Sequence, residues 1–593
     1  MRHFSIILLA LVLTFPLALP SRVLGDVNIN AIKPTLPPTR KAHQNSGIRK
    51  RPPVHGNRSA IPAPAASSPS GRAAPPAPPP VTVSLTGTAP FSSIAAAIDA
   101  ASPGGRVIVG AGFYHESVTI AKRVDLVIDP KAVPGSVVIE GQMLPALTLN
   151  TPTARIVGIA FRIATTVPVR ALSGVDIISG KPAFEGCDFG DAAEQSVNIH
   201  GADVAPTFRM CSFHDGSLSA IQVTDKASPA FDTCAIIGGS GQAIKCSNSS
   251  LTIKGGSIRG AIKGSRNGIT ADQGATISLS GCDVGQRMTS AMGLNGASVI
   301  GLKCHLHDVG WNCIETRTSA CHVVLVDCEI HNGGGDGSGA NEYAHVDLTR
   351  CHIYNFHIAL RSSNFGTLNA ISCTLDNVSE GIEVDNGGKV TLSKSIIHDM
   401  GQVAAYANNG GTAFISECDI STCRDGGLHA NKSTINVENS KLYNMPGSAI
   451  IFNNSANGAL KNVIVDGAGL SGVIITDGSK VSLDNCSLSK LGDNGISILR
   501  ATGVVIGGTV KFAKNSLLLA ADHSTAAVTG TTFTGGTVGV RVKDQSAVTL
   551  NRCTITGNAE WGIDQTTGRA IVEDCTLGGN GKGDITPSVA SEK

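Results

Sequence analysis

Apolar residues return with a period of two in short bursts, broken every few residues by Gly, Asn or Asp, and the bursts come in threes. Residues 381–399, GIEVDNGGKVTLSKSIIHD, show the unit: Gly-Ile-x-Val, a small turn, Val-x-Leu, then a third short run ending in His-Asp. Alternation of this kind, punctuated by turn residues, predicts three short strands per repeat. Aligned on Cys-x-apolar, the unit returns every 21 to 26 residues from Cys187 to Cys575, and twelve of the sixteen cysteines share that one position. Such a period predicts a solenoid, in which each strand pairs with its copy one coil away. Leucine-rich repeats have a similar period, but they need L-x-x-L-x-L spacing, and here the apolar positions are mainly Val, Ile, Ala and Cys in three alternating runs. The pattern therefore favours an all-β fold: a single-stranded parallel β-helix with three strands per coil and about 18–20 coils.

Stacking accounts for the cysteines. Coils lie about 4.8 Å apart, so aligned thiols form an inward column of small side chains that point the same way, which suits packing better than a disulfide torsion. Cys246, Cys313, Cys321 and Cys423 fall outside the column and stay unassigned. Residues 331–351, HNGGGDGSGANEYAHVDLTRC, break the pattern: GGGDGSGANEY stands in place of one Gly-Ile-x-Val strand, either as a bulge or close approach to a ligand or as a tolerated loop.

Composition divides the chain. Residues 1–25 have a positive start, an apolar core and a small residue near the end, which predicts a secretory signal peptide. Residues 26–80 are rich in Pro and Ala, with eight Lys and Arg against Asp26, and are expected to be a disordered basic linker. The chain's net charge is +2, and the two N-terminal segments carry +9 of it, leaving −7 for residues 81–593. The signal peptide, with no later apolar run long enough to span a membrane, predicts a secreted, periplasmic or cell-envelope protein, and the basic linker before an acidic body is a solubilising spacer or a contact to an anionic wall or membrane. The acidic, aromatic-poor body excludes nucleic acid as the expected partner. The body is read as a cap helix with the first coils (81–150), coils (151–585) and a disordered tail (586–593).

Residues 90–120, PFSSIAAAIDAASPGGRVIVGAGFYHESVTI, resemble the opening of pectin-lyase-like right-handed β-helix proteins, a superfamily that includes pectin methylesterases and carbohydrate-binding, sugar-hydrolase-type repeats. The residues agree: Ile94, Ala97, Ile98 and Ala101 line one face of a helix begun at Ser92 or Ser93 and stopped by SPGG, suited to plug the solenoid's open end. The resemblance implies right-handed coiling and a polysaccharide or cell-surface glycan lying over the Gly-Ile-x-Val strand. It implies no named reaction, because the polygalacturonase NTD and RIK, the methylesterase QDT and the epimerase DPHD are all missing.

Outward positions of the Gly-Ile-x-Val strand concentrate charge in the middle coils. Arg361, Glu383, Asp385, Tyr406 and His429 are the candidate catalytic residues, for a polysaccharide lyase, epimerase or hydrolase acting on a polyuronate. Tyr406 or His429 would accept the proton, and Glu383 with Asp385 would hold calcium. Glu315, Arg317, Asp336, Asn408 and Asn431 are candidate substrate contacts, the arginines forking onto sugar carboxylates. Beyond them the face turns apolar at Ile451, Ile474 and Leu499. A second set on the Cys-bearing strand, His305, His307, Glu329, His331 and His352, has the residue types for zinc or copper, although turn histidines recur throughout the repeat; His322 and His345 occupy equivalent positions of the middle strand. Two functions remain open: glycan binding without chemistry, and polyuronate chemistry in the same groove.

Overall fold

The structure, a computed structural model, describes residues 78–164, 173–261 and 264–586. The chain divides at Ala74/Pro75, and the body is the second unit. The expected signal peptide, most of the linker and the tail beyond Thr586 lie outside the described residues.

Every strand pairing of the body is parallel, and each strand meets its copy one coil away. Residues 380–398 show the unit: Glu380–Val384 on one face, Lys389–Ser393 on the next and Ile396–His398 on the third, before Val403–Asn408 resumes the first face. Here we term these the groove, lateral and cysteine columns. The lateral column is a ladder of 22 strands from Val81–Val83 to Arg569–Glu573. The solenoid thus has about 22 coils rather than 18–20, because coiling begins before the first cysteine, where no sulfur marks the repeat. The other two columns join into one sheet through the 13-residue strand Asp283–Asn295, which runs through the corner between them.

Local sequence explains the corners. Asn355, Asn377 and Asp399, at equivalent turns, all adopt the left-handed conformation (φ 59°, 48° and 58°) that Asn and Asp tolerate better than other side chains. The cysteine position lies at another corner. Its thiol donates to the carbonyl two residues back, from Cys351 to Thr349 (3.5 Å) and from Cys373 to Ile371 (3.5 Å). Where the repeat lacks cysteine, Ser395 and Ser440 make the same bond at 2.8 Å. The column therefore selects a small buried donor. All sixteen cysteines carry free thiols, and all but Cys575 are buried, Cys246, Cys313, Cys321 and Cys423 included.

The core changes along the axis. In the early coils Phe161, Phe189 and Phe213 stack in one ladder and Phe184, Phe208 and Phe231 in another, with ring centroids 4.8–5.4 Å apart. Later coils are filled mainly by Ile, Leu, Val and Ala, with single buried rings at Phe356, Phe452 and Phe533. At the N-terminal end the helix Ile94–Ala100 buries Ile94, Ala97 and Ile98 against the first strands. Ser93 is its N-cap, and the Glu116 carboxylate accepts from the Ile94 (2.7 Å) and Ala95 (3.1 Å) amides, satisfying donors a helix start leaves free.

The glycine-rich stretch is not a break. Asp336–Ala340 is a groove strand in register, Ser338 opposite Ile314 and Leu360, and Gly339 opposite Arg361. The coil keeps its path and loses only side chains.

Candidate functional site

Parallel pairing fixes the outward column of the groove face, one residue per coil: Thr270, Gly293, Glu315, Gly339, Arg361, Glu383, Tyr406, His429, Ile451, Ile474 and Ser497. Leu499, on the same face, stands two residues further along, opposite Thr476. Two glycines therefore flank Glu315, and each leaves a gap. Over Gly293 lies a cleft of about 480 Å³ walled by Gln242, Arg266, Asn267, Asp272, Glu315 and Arg317; the Asn267 amide reaches across the Gly293 Cα, into the room a Cβ would take. Over Gly339 a notch of about 100 Å³ is lined by Glu315, Asp336, Asn341, Arg361 and Ser363. A Cβ on Gly339 would meet only the Ile314 carbonyl, at 3.8 Å.

Arg361 sits at the far wall of the notch between two acids. Its Nε donates to Asp336 Oδ2 and its Nη2 lies against Glu383 Oε2, both at 2.8 Å. The guanidinium expected to fork onto a sugar carboxylate is thus already held on both sides. Asp336, only 8% exposed, is fixed in turn by its amide, which donates to Asn312 Oδ1 (2.8 Å). Burial pushes the carboxyls of Asp336, Glu380, Glu383 and Asp385 above their ordinary range, with Arg361 opposing the shift in each. Glu380 Oε2 and Asp385 Oδ1 are buried without a protein partner. Four carboxylates thus share one guanidinium.

Asp336 and Glu380 illustrate what strict alternation hides. Gly381 and Ile382 are both buried, as are Gly337 and Ser338, so the strand turns two consecutive residues inward, and the residue three before the outward column returns to the groove side. Asp336 was legible as a nearby acid; Glu380 was not, because period-two reading assigns it no place. Gly293, Gly339, Gln242, Arg266 and Asn267 were likewise missed, and the signal that finds them is the register of the coils.

Past Glu383 the column continues to Tyr406 and His429, whose rings meet edge-on at 5.2 Å. Burial holds the His429 imidazole below its usual pKa, hence neutral near pH 7, and its Nε2 has no protein partner. Arg317 folds back on Glu315 through Nε (3.0 Å) and Nη2 (2.7 Å). Asn408 and Asn431 are not poised singly: Asn431 donates to Asn408 (3.0 Å) and Asn454 to Asn431 (2.8 Å), an amide ladder along the turn. Arg361 lies against one oxygen of Glu383, and among the described residues no third His, Cys or acid gathers with Glu383 and Asp385.

On the cysteine column the proposed metal ligands stack instead of converging. His307, His331 and Tyr354 form a pile with centroids 5.2 and 4.8 Å apart and near-parallel planes. His307 is held between Asp283 (2.7 Å) and Asp308 (2.9 Å), His352 by Asp376 (2.8 Å), and Glu329 by the Tyr354 hydroxyl (2.6 Å); His305 approaches Glu329 at 3.6 Å. Among the described residues, three candidate ligands gather only on the lateral column, as His322, His345 and Asp347.

No curated protein matches this chain. Among solved structures, it is similar to the pectin methylesterase from Aspergillus niger (16% identity over 45% of this chain and 87% of that one, TM-score 0.26). It is also similar to a PL6 family alginate lyase (10%, 83% and 98%, TM-score 0.25) and to the N-terminal fragment of bacteriophage phi29 gene product 12 (10%, 81% and 90%, TM-score 0.29). These likenesses are too loose to carry a reaction or a ligand. The profile of the family described as "right handed beta helix region" matches residues 247–389 and 380–518. The described residues form a parallel β-helix of three columns, and its stretch 247–518 is similar to that family.

Proposed function

We propose that this protein binds a glycan along its groove face, from the cleft over Gly293 to His429, as an exported binding protein whose basic linker spaces it from the cell surface. The observation that carries this reading is the pair of gaps at Gly293 and Gly339, walled by amides, hydroxyls and carboxylates on a rigid sheet. Sugars are recognised by such closely set polar groups beside an apolar ring face. A ring face is present: Tyr343 and Phe365, 62% and 57% exposed, stack at 5.2 Å on the turns that follow the Gly339 and Arg361 strands. Charge selects within this class. Glu315, Asp336, Glu380, Glu383 and Asp385 outnumber Arg317 and Arg361, so the face favours a neutral glycan, or a polyuronate only with cations between.

The competing reading is hydrolysis in the same groove. It is favoured by carboxyls that burial holds above their ordinary range, as a general acid requires, beside a neutral His429. One set of assays separates the two: retention on immobilised glycans, with reducing ends and unsaturated products followed in parallel. Binding predicts retention without product, and loss of retention in Gly339→Leu, where the new side chain fills the notch and spares the fold. Product that disappears in both Glu383→Gln and His429→Ala would establish catalysis instead. Wild-type protein retained by no glycan and active on none rejects both readings.

A further inference from the structure

The lateral column, opposite in role to the groove, carries a cluster with a different chemistry. His322 and His345 are in register on adjacent strands, His322–Val326 and His345–Thr349, and Asp347 stands two residues beyond His345 on the same outward face. Both imidazoles turn the same nitrogen to the same carboxylate: His322 Nε2 lies 3.2 Å from Asp347 Oδ2, and His345 Nε2 lies 3.1 Å from Oδ1. The ring centroids are 5.1 Å apart and inclined at 56°, unlike the parallel pile on the cysteine column. Asn369, one coil on, donates to Asp347 Oδ1 (2.9 Å) and fixes the carboxylate from outside. The ligand atoms of the three residues all lie within 4.8 Å of one another.

We propose that His322, His345 and Asp347 form a binding site for a zinc-class divalent transition metal, with the remaining coordination position open to water or an incoming ligand. Two edges of the cluster, one to each carboxylate oxygen, approach the spacing of a tetrahedral site, and the third, between the imidazoles, lies within 4.8 Å. Two ligands at about 2.0–2.1 Å from zinc, separated by the tetrahedral angle, stand about 3.3 Å apart. The two histidine–carboxylate separations fall just under that edge. An ion would sit between the two Nε2 atoms and the carboxylate, any Nε2 proton leaving to solvent, on strands already held in register. Two imidazoles and one carboxylate suit zinc, copper or nickel far better than calcium or magnesium, which prefer all-oxygen shells. Asn369 supplies the outer hydrogen bond that holds a metal-bound carboxylate in place. On the cysteine column, by contrast, His307 lies between Asp283 and Asp308 and stacks on His331 in a near-parallel pile, and no three ligand atoms gather there among the described residues.

Calorimetric titration of tag-free, metal-stripped full-length protein with Zn²⁺ tests the assignment. One equivalent should bind. His322→Ala and His345→Ala should each weaken that binding by at least about a hundredfold, the upper end of what loss of a merely supporting residue costs at a metal site. Asp347→Asn keeps a hydrogen-bond acceptor but loses the charge, and should weaken it by at least about tenfold. All three side chains are partly exposed on strands, so circular dichroism should be unchanged. His305→Ala/His331→Ala should bind as the wild type does. Absence of a stoichiometric site, wild-type affinity in His322→Ala and His345→Ala, or loss confined to His305→Ala/His331→Ala would each overturn the proposal.

Discussion

Two faces of the same coil treat ionisable groups in opposite ways. On the cysteine column, Asp188 accepts from His214 Nε2 (3.0 Å), Ser212 and Arg162. Burial alone would raise its carboxyl, but those donors hold it well below the carboxylate range. Its hydrogen bond in turn lifts His214 to about 9, against burial and helped by Asp215 at 2.6 Å. The same device returns at His307, between Asp283 and Asp308, and in looser form at His398, between Asp376 and Asp399. On the groove column, four buried carboxyls crowd one arginine, all are raised, and two oxygens have no partner. On the cysteine column, where His331 Nδ1 is the exception, most charges are answered by a neighbour one coil away, which ties the coils together. The groove leaves acceptors buried and unanswered, and it is the face on which the proposed glycan would lie.

The contrast can be broken at its weakest member. Arg361→Ala leaves Asp336, Glu380, Glu383 and Asp385 without their cation and is expected to destabilise the body by about 2–3 kcal/mol, below the full loss of a buried pair because the groove is partly open to water. The sign with pH follows from the raised carboxyls. They are protonated more readily folded than unfolded, so the groove's contribution worsens as pH rises through their folded values, and the Arg361→Ala deficit should be larger at pH 8 than at pH 5. Urea midpoints at the two pH values measure it, and an equal deficit at both would mean the carboxyls do not repel.

Asp188→Asn should cost less, about 1–2 kcal/mol, since Arg162 and Ser212 retain a neutral acceptor and the site is partly exposed. Here the pH dependence has the opposite origin. His214, raised when folded, contributes fully below its ordinary value near 6.5 and loses that contribution as pH rises through about 9. The gap between wild type and Asp188→Asn should therefore narrow between pH 7 and pH 10, and the His214 ring resonances should titrate lower in the variant. Asn431→Ala, which cuts the amide ladder, should cost about 0.5–1.5 kcal/mol and leave glycan retention intact. Lost retention would move that residue from scaffold to site. The smallest expected effect is chemical: a thiol reagent on native protein should modify Cys575 first, with Cys246 and Cys423, pushed up to about 12 by burial, reacting only on denaturation.

The fold was legible because a solenoid repeats its instructions. Three alternating runs, Asn and Asp at the corners and a column of Cys or Ser recur often enough that individual departures do not obscure them. The N-terminal helix was legible from Ile94, Ala97 and Ile98, and its cap is Ser93. Much of the candidate site was legible too, since Arg361, Glu383, Tyr406 and His429 do share one outward column. What the residues do to one another was not. Arg361 looked free and is clamped, Asn408 and Asn431 are joined to each other by a hydrogen bond, and Asp336 lay in what read as an interruption.

The sequence by itself determined the three-column parallel coil and, where the alternation is strict, the side each residue faces, because the period of two and the turn residues are local and are restated in every repeat. Only the tertiary structure decided which side chains meet, since neighbours across coils are some 22 to 27 residues apart and the register between them carries no local signal. That register set Gly339 beside Arg361 to make a notch, and aimed His322 and His345 at one carboxylate.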